Sequence, residues 1–233
     1  MFVSAIVVAA GQGVRLNTAV PKQFLPLAGK PVLVHTLAKF QACDAVSEIV
    51  LVAQAGYTDY CRTEIAEKYG INKITAVTLG GPRRQDSVLA GLGRCAAHTD
   101  VVLIHDAARP FVTTAEIESV ITGAAASNGA CTLGVPAKDT IKLCDDTQTV
   151  TETLDRAKLW HIQTPQGFSA ALLRDAYARA DEQGLTVTDD CAIIEQAGHA
   201  VHVVCGSYFN IKITTAEDLV FAEAIIHARN ERS

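Results

Sequence analysis

Apolar runs of strand length recur along the chain at Val3–Ala9, Glu48–Ala53, Ile74–Leu79, Val101–His105, Cys131–Val135 and Val201–Cys205, with helix-like stretches between them. Runs such as Ile6-Val7-Val8 and Val101-Val102-Leu103-Ile104 are apolar at every position, as a strand is when both of its faces are covered. The alternation predicts an α/β fold, a three-layer sandwich whose mostly parallel, Rossmann-like sheet lies between helices. Helix ends are marked by Thr114 with Glu116, Glu118 and a later Asn128-Gly129, by Ser169 before Ala170–Glu182 with Gly184 beyond, and by Thr215 before Ala216–Arg229.

The pattern breaks between Lys138 and Trp160. Thr140-Ile141-Lys142-Leu143 and Thr149-Val150-Thr151-Glu152-Thr153-Leu154 flank the polar turn Cys144-Asp145-Asp146-Thr147-Gln148, which predicts a projecting β-hairpin arm over 138–160. A two-stranded hairpin alone is barely stable in water, so the arm is expected to clasp a second copy of the chain. Trp160 is expected to anchor it by packing beneath. No repeat or linker interrupts the rest, so residues 1–233 are expected to form one domain with this arm as its dimerisation element.

Composition narrows the classes. In 233 residues, 49% hydrophobic and 19% charged, there is ample material for a core, which excludes disorder and a coiled coil. A net charge of −5 gives no general attraction to nucleic acid or an anionic membrane, so any phosphate must be met by locally clustered cations. The stretch Phe2 to Ala10 is too short to span a membrane and runs into a glycine-rich turn rather than a cleavage site. The seven cysteines are odd in number, scattered and free of any C-x-x-C pair, and are expected to be buried small hydrophobes in a reducing cytoplasm. His35, His98, His161, His199, His202 and His227 form no metal-ligand spacing.

The turn after the first strand, Ala9-Ala10-Gly11-Gln12-Gly13-Val14-Arg15-Leu16, lies where an open α/β sheet leaves its binding crevice. A dinucleotide fingerprint is excluded, because Leu16 stands at the third-glycine position and Val52-Ala53-Gln54 carries no acid. A P-loop is excluded too, because Gly29-Lys30 is followed by Pro31. What remains is a turn able to offer N–H groups to phosphate, followed by Arg15 and Lys22. Pro21 and Pro26 place Lys22 on an irregular loop. Spacing alone leaves open whether these two cations face a ligand or solvent.

The pattern A-A-G-x-G-x-R followed by Pro21-Lys22-Gln23-Phe24 resembles the nucleotide-binding signature of sugar nucleotidyltransferases, and more narrowly that of the 2-C-methyl-D-erythritol 4-phosphate cytidylyltransferase family. Gly80-Gly81 with Arg84 and Asp86-Ser87-Val88, then His105 to Pro110, Asp139-Thr140, Asp155-Arg156, Thr164-Pro165-Gln166, Thr188-Asp189-Asp190 and Lys212-Ile213-Thr214 follow in that family's order. The resemblance runs from Ile6 to Glu217.

The resemblance implies transfer of CMP from CTP to a small polyol phosphate, with release of pyrophosphate. Arg15 and Lys22 are similar to the family's transition-state stabilisers, and the backbone of Ala9, Ala10, Gly11 and Gly13 would hold the triphosphate. Gly80, Gly81 and Ser87 would recognise cytosine, with Asp106, Ala107 and Arg109 also on the nucleotide. A capping role for Ser87 and a salt bridge from Asp106 to Arg109 are the purely structural alternatives. Arg156 and Lys212 would position the acceptor phosphate, with Asp106, Thr140, Thr164 and Thr188 available to its hydroxyls. If the arm crosses a dimer axis, Arg156 would serve the neighbour's site. Mg²⁺ would bind mainly through CTP, without a dedicated protein cage. The resemblance further implies a monofunctional homodimer. Ribitol 5-phosphate is the rival acceptor. A non-catalytic nucleotide-binding regulator is the rival of another class, disfavoured because Arg15, Lys22, Arg156 and Lys212 are all present.

Overall fold

The structure, a computed structural model, describes residues 1–11, 20–126 and 129–230. Gly13, Arg15 and Leu16 of the glycine-rich turn, and the helix stop at Asn128, lie outside the described residues. In chain order the first half comprises β1 (Val3–Ala9), β2 (Pro26–Leu27), β3 (Lys30–Pro31), α1 (Val32–Ala42), β4 (Glu48–Ala53) and α2 (Thr58–Tyr60), the last continued by a π-helix, Cys61–Glu67. Then come β5 (Ile74–Leu79), α3 (Arg84–Leu92), β6 (Val101–Asp106), α4 (Thr114–Ala125) and β7 (Ala130–Pro136). The remainder is β8 (Lys142–Cys144), β9 (Val150–Thr153), β10 (Trp160–Ser169), α5 (Ala170–Glu182), α6 (Asp190–Gln196), β11 (His202–Cys205) and α7 (Ala216–Asn230).

Seven strands form one sheet in the order β11-β7-β10-β6-β1-β4-β5, parallel except for β10, which runs antiparallel to both neighbours. The central strands β1, β4 and β6 are almost wholly apolar because alternate side chains enter different layers, whereas the edge strands β5 and β11 are only partly covered. Val3, Ala5, Val7 and Ala9 of β1 pack with Leu33, Leu37 and Phe40 of α1 and Ile117 and Val120 of α4. Ile6, with Val50, Val52, Val102 and Ile104 of β4 and β6, packs on the other face with Val88 of α3, Leu173 and Tyr177 of α5 and Ile193 of α6. Each fully buried leucine, isoleucine or phenylalanine contributes about 1.5–3 kcal/mol. The three-layer sandwich is therefore as the pattern predicts. A smaller cluster of Leu27, Val32, Phe111, Ile213 and Ala222 seats α7.

Strand β10 is a correction to the sequence reading, which has no strand between Val135 and Val201 in the main sheet. Its sequence is interrupted by Pro165 and Gly167 and carries the buried polar residues Gln163, Thr164 and Gln166, so it lacks the apolar signature of its neighbours. Gly167 is required by packing: a Cβ there would come within 2.6 Å of Val120 Cγ1 and 3.1 Å of Leu103 Cδ2.

The hairpin is present, with β8 and β9 antiparallel and a turn that places Gln148 at φ 62°. It leaves the sheet between β7 and β10, on the edge where the parallel strands end. Trp160, expected as a packing anchor, is instead 40% exposed at the first position of β10. Cys144 and Cys205 are exposed, contrary to expectation, because they lie on the hairpin and on edge strand β11; the other five thiols are buried. Lys22 opens a 3₁₀ turn, Lys22–Phe24, rather than an irregular loop, since the two prolines permit a single turn between them. None of the described helices is long and apolar enough to cross a membrane.

Candidate active site

A cleft of about 320 Å³ opens where β1 and β6 end, lined by Val8 to Gly11, Lys22, Gln23, Gly81 to Arg84, Ser87, Asp106 to Ala108 and Lys212. This is the position that a parallel sheet makes concave, since successive connections turn away to opposite faces.

One wall is the turn into α3. Gly80 is packed so closely that a Cβ there would overlap Ala10 Cβ and come within 2.8 Å of Ser87 Oγ. Ser87 Oγ accepts from Gly81 N at 3.1 Å and lies 3.2 Å from the Arg83 carbonyl, so the serine fixes the glycine turn. The capping role belongs to Asp86, which accepts from Arg83 N at 3.0 Å. The opposite lip is the Lys22–Phe24 turn, stapled to β1 where Gln23 Nε2 donates to the Ala9 carbonyl at 2.6 Å. Phe24 behind it stacks on Tyr57 with ring centroids 4.8 Å apart.

The floor is electrostatic. Asp106, the last residue of β6, faces three cations: Lys212 Nζ at 2.7 Å and Arg109 Nε at 3.8 Å on one oxygen, and Arg84 Nε at 3.5 Å on the other. Burial alone would push this carboxyl up, but Lys212, Arg84 and Arg109 override it and hold Asp106 well below the usual carboxylate range. The salt bridge to Arg109, the structural alternative for Asp106, is thus present but the longest of three. Arg84 donates from Nη1 to Asp190 Oδ2 at 2.6 Å, and the two carboxylates outweigh its desolvation and raise its pKa further. For Arg109 desolvation prevails, and its pKa is lowered.

Neutral hydrogen bonds pin the same corner. His105 Nε2 lies 3.1 Å from the Arg109 carbonyl, which can only accept, so Nε2 carries the proton. Complete burial lowers the imidazole to about 4, leaving Nδ1 to accept from the Thr164 hydroxyl at 3.1 Å. That hydroxyl oxygen accepts in turn from Asp106 N at 3.0 Å. Arg109 Nη1 donates to the Asn210 carbonyl at 2.8 Å, tying the loop that carries Lys212 to the end of β6.

Of the residues singled out from sequence, Ala9, Ala10, Gly11, Lys22, Gly81, Ser87, Asp106, Ala107 and Lys212 line this cleft, with Gly80 and Arg109 directly behind it. Thr164 is buried, and its hydroxyl is engaged within the wall. Thr140 and Thr188 are exposed outside the lining. Arg156 lies in the arm's base with Nη1 donating to the Lys138 carbonyl at 2.7 Å, away from this chain's own cleft lining. Gln23, Arg83 and Arg84 also line the cleft, with Asp190 behind it, and the sequence alone points to no role for any of the four. Arg84 lies between Gly81 and Asp86 and Asp190 follows Asp189 in the ordered motifs, but no local signal pairs residues 106 positions apart. Among the described residues no three His, Cys, Asp or Glu side chains converge to hold a metal.

Comparison with known proteins shows the family of the whole chain. A profile of the family described as 2-C-methyl-D-erythritol 4-phosphate cytidylyltransferase matches residues 3–228. A protein of that name from Pelotomaculum thermopropionicum is 45% identical over 99% of this chain and 96% of its own length. The crystal structure of 4-diphosphocytidyl-2C-methyl-D-erythritol synthase from Anaerococcus prevotii superposes with a TM-score of 0.85 at 33% identity, covering 97% of this chain and 96% of that one. The cytidylyltransferase from Thermus thermophilus gives 0.78 at 33% identity, covering 97% and 98%.

Proposed function

The chain belongs to the 2-C-methyl-D-erythritol 4-phosphate cytidylyltransferase family, and from that membership and the cleft we infer that it transfers CMP from CTP to 2-C-methyl-D-erythritol 4-phosphate. The products are 4-diphosphocytidyl-2-C-methyl-D-erythritol and pyrophosphate, on the non-mevalonate route to isoprenoid precursors. The observation that carries this reading is the meeting, in one cleft, of the Ala9–Gly11 backbone, the Gly81–Ser87 turn and the cations Lys22 and Lys212.

An acceptor phosphate oxygen attacks the α-phosphorus of CTP in line; a P–O bond forms to the acceptor as the bond to the β-phosphate oxygen breaks and pyrophosphate leaves with the electron pair. No covalent enzyme intermediate is involved. The chain's part is to orient both phosphates and to meet negative charge as it spreads over the oxygens. We assign Lys22 and Arg15 to the triphosphate, Gly80, Gly81 and Ser87 to the base, and Lys212 to the acceptor phosphate. Mg²⁺ carried by CTP would supply further neutralisation, with Asp106 the acid in the cleft lining. Asp106 is already faced by three cations, which suits a metal held by the nucleotide rather than by the protein.

We assign Arg156 to the acceptor phosphate of a neighbouring subunit. Its exposed position and the exposed apolar Leu143, Val150 and Ile162 along the arm and its root support a homodimer joined through 138–160, the rest of the chain being one catalytic domain. Seven free thiols are consistent with a reducing cytoplasm. The test is steady-state pyrophosphate release with CTP. A kcat/KM far higher for 2-C-methyl-D-erythritol 4-phosphate than for ribitol 5-phosphate is expected, and the reverse order would overturn the acceptor assignment.

A further inference from the structure

Asp190 opens α6 with no solvent exposure at all, and burying a carboxylate is costly unless it is paired and hydrogen-bonded. Here it is fully engaged. Tyr177 of α5 donates its hydroxyl to Oδ1 at 2.6 Å, and Arg84 donates Nη1 to Oδ2 at 2.6 Å. Its backbone N–H donates to Gln166 Oε1 at 3.2 Å, while Gln166 Nε2 donates to the helix-capping Asp189 at 2.8 Å. Burial pushes the Asp190 carboxyl up, and Arg84 and the Tyr177 hydroxyl pull against that push. The helix behind the sheet, the antiparallel strand β10 and the first turn of α3 thus meet at one buried charge.

Arg84 carries the charge forward, since its side chain is 27% exposed in the cleft and spans Asp190 with Nη1 and Asp106 with Nε. A planar guanidinium can bridge two carboxylates in fixed directions, as a lysine ammonium cannot. Arg84 Nε, held by the Asp190 hydrogen bond, stands 3.5 Å from Oδ1 of Asp106 as an ion pair, while Oδ2 meets Lys212 at 2.7 Å.

We propose that Asp190 is a positioning residue for CMP transfer: through Arg84 it fixes the rotation of the Asp106 carboxylate and so the resting place of Lys212 at the acceptor end of the cleft. The inference rests on the transfer reading of the cleft. It predicts damage on the acceptor side of the kinetics rather than a general loss of fold.

The experiment compares D190N, R84K, their combination and Y177F by steady-state pyrophosphate release, varying CTP and 2-C-methyl-D-erythritol 4-phosphate separately, with thermal melts of each. D190N is expected to lose on the order of 100-fold in kcat/KM for the acceptor, the scale of a small misplacement of a reacting group, while the KM for CTP stays within about threefold. R84K should match it despite keeping the charge, and the double variant should be no worse than either alone, because both act through one link. Y177F, which removes a bond on the far side of Asp190, should lower the melting temperature yet keep kcat/KM within about threefold of wild type. A folded D190N with wild-type acceptor kinetics would overturn the proposal, as would activity losses that merely track melting temperature across the four variants. Should D190N not fold, R84K alone decides: wild-type acceptor kinetics there contradict the link. A wild-type protein without transfer activity would instead count against the transfer reading.

Discussion

Asp106 meets three cations of its own chain within 3.8 Å, whereas Arg156, equally charged, stands exposed on the arm and donates to the carbonyl of Lys138. Around Asp106, β6, β10, α3 and the loop bearing Lys212 hold one another through ion pairs and through the Thr164–His105 hydrogen bonds. Along the arm, Leu143 and Val150 are 47% and 53% exposed, and the two strands pair with each other alone. One region is held in place by its own side chains; the other presents apolar side chains that the described residues leave exposed. Charges serve catalysis best when they need no reorganisation during the reaction, which is why we assign the chemistry to the first region and a partner contact to the second.

The sharpest way to break this contrast is to remove a cleft cation that the cluster can spare. Lys212→Ala leaves Asp106 facing Arg84 and Arg109, so the fold should hold. The kcat/KM for the acceptor should fall on the order of 100–1000-fold, the cost of losing one well-placed charge in such a site. A loss below about threefold would mean that the cluster is structural only.

Acid should loosen the preformed region specifically. His105 is neutral in both states above pH 6.5, but below that the unfolded chain takes up a proton that the buried imidazole, at about 4, refuses. Stability therefore falls as pH drops from 6.5 to 4, by up to about 1.4 kcal/mol per unit and on the order of 3 kcal/mol in all. Urea melts at pH 7.5 and 5 check this, and His105→Gln should flatten the dependence. The arm carries no such signature: Leu143→Asp with Val150→Asp should give monomers by sedimentation and lose at least about tenfold in activity, while leaving the urea midpoint of the core nearly unchanged. Smallest of all, Arg62→Ala, which breaks a surface pair with Asp59 at 3.0 Å, should shift stability by less than about 0.5 kcal/mol and leave activity as it is.

The same contrast explains what the sequence made legible. Six of the seven sheet strands are legible as short apolar-rich runs, buried on both faces at β1, β4, β6 and β7 and only partly at the edges β5 and β11, and the hairpin is legible because its turn residues are polar and clustered. Strand β10 did not, since Gln163, Thr164 and Gln166 are buried for their hydrogen bonds to Ser207, His105 and Asp189 rather than for apolar contact. Lys22, Asp106 and Lys212 were found through ordered motifs, yet their mutual geometry was not, because Asp106 and Lys212 are joined only by folding. Arg84 and Asp190 went without a role for the same reason. Trp160 reads as an anchor because it is an aromatic residue beside the arm; in the fold it lies over Gly134 of β7 and stays 40% exposed.

The claim that a preformed cleft and an unpartnered arm complete each other across two subunits is tested most directly by mixing. An Arg156→Ala chain and a Lys22→Ala chain, each inactive alone, are exchanged into mixed dimers verified by two affinity tags. If the arm serves its neighbour, half of the dimers recover one of two sites, and activity should return to about a quarter of wild type. If each chain uses its own Arg156, every mixed dimer carries two damaged sites, and no recovery would contradict the account.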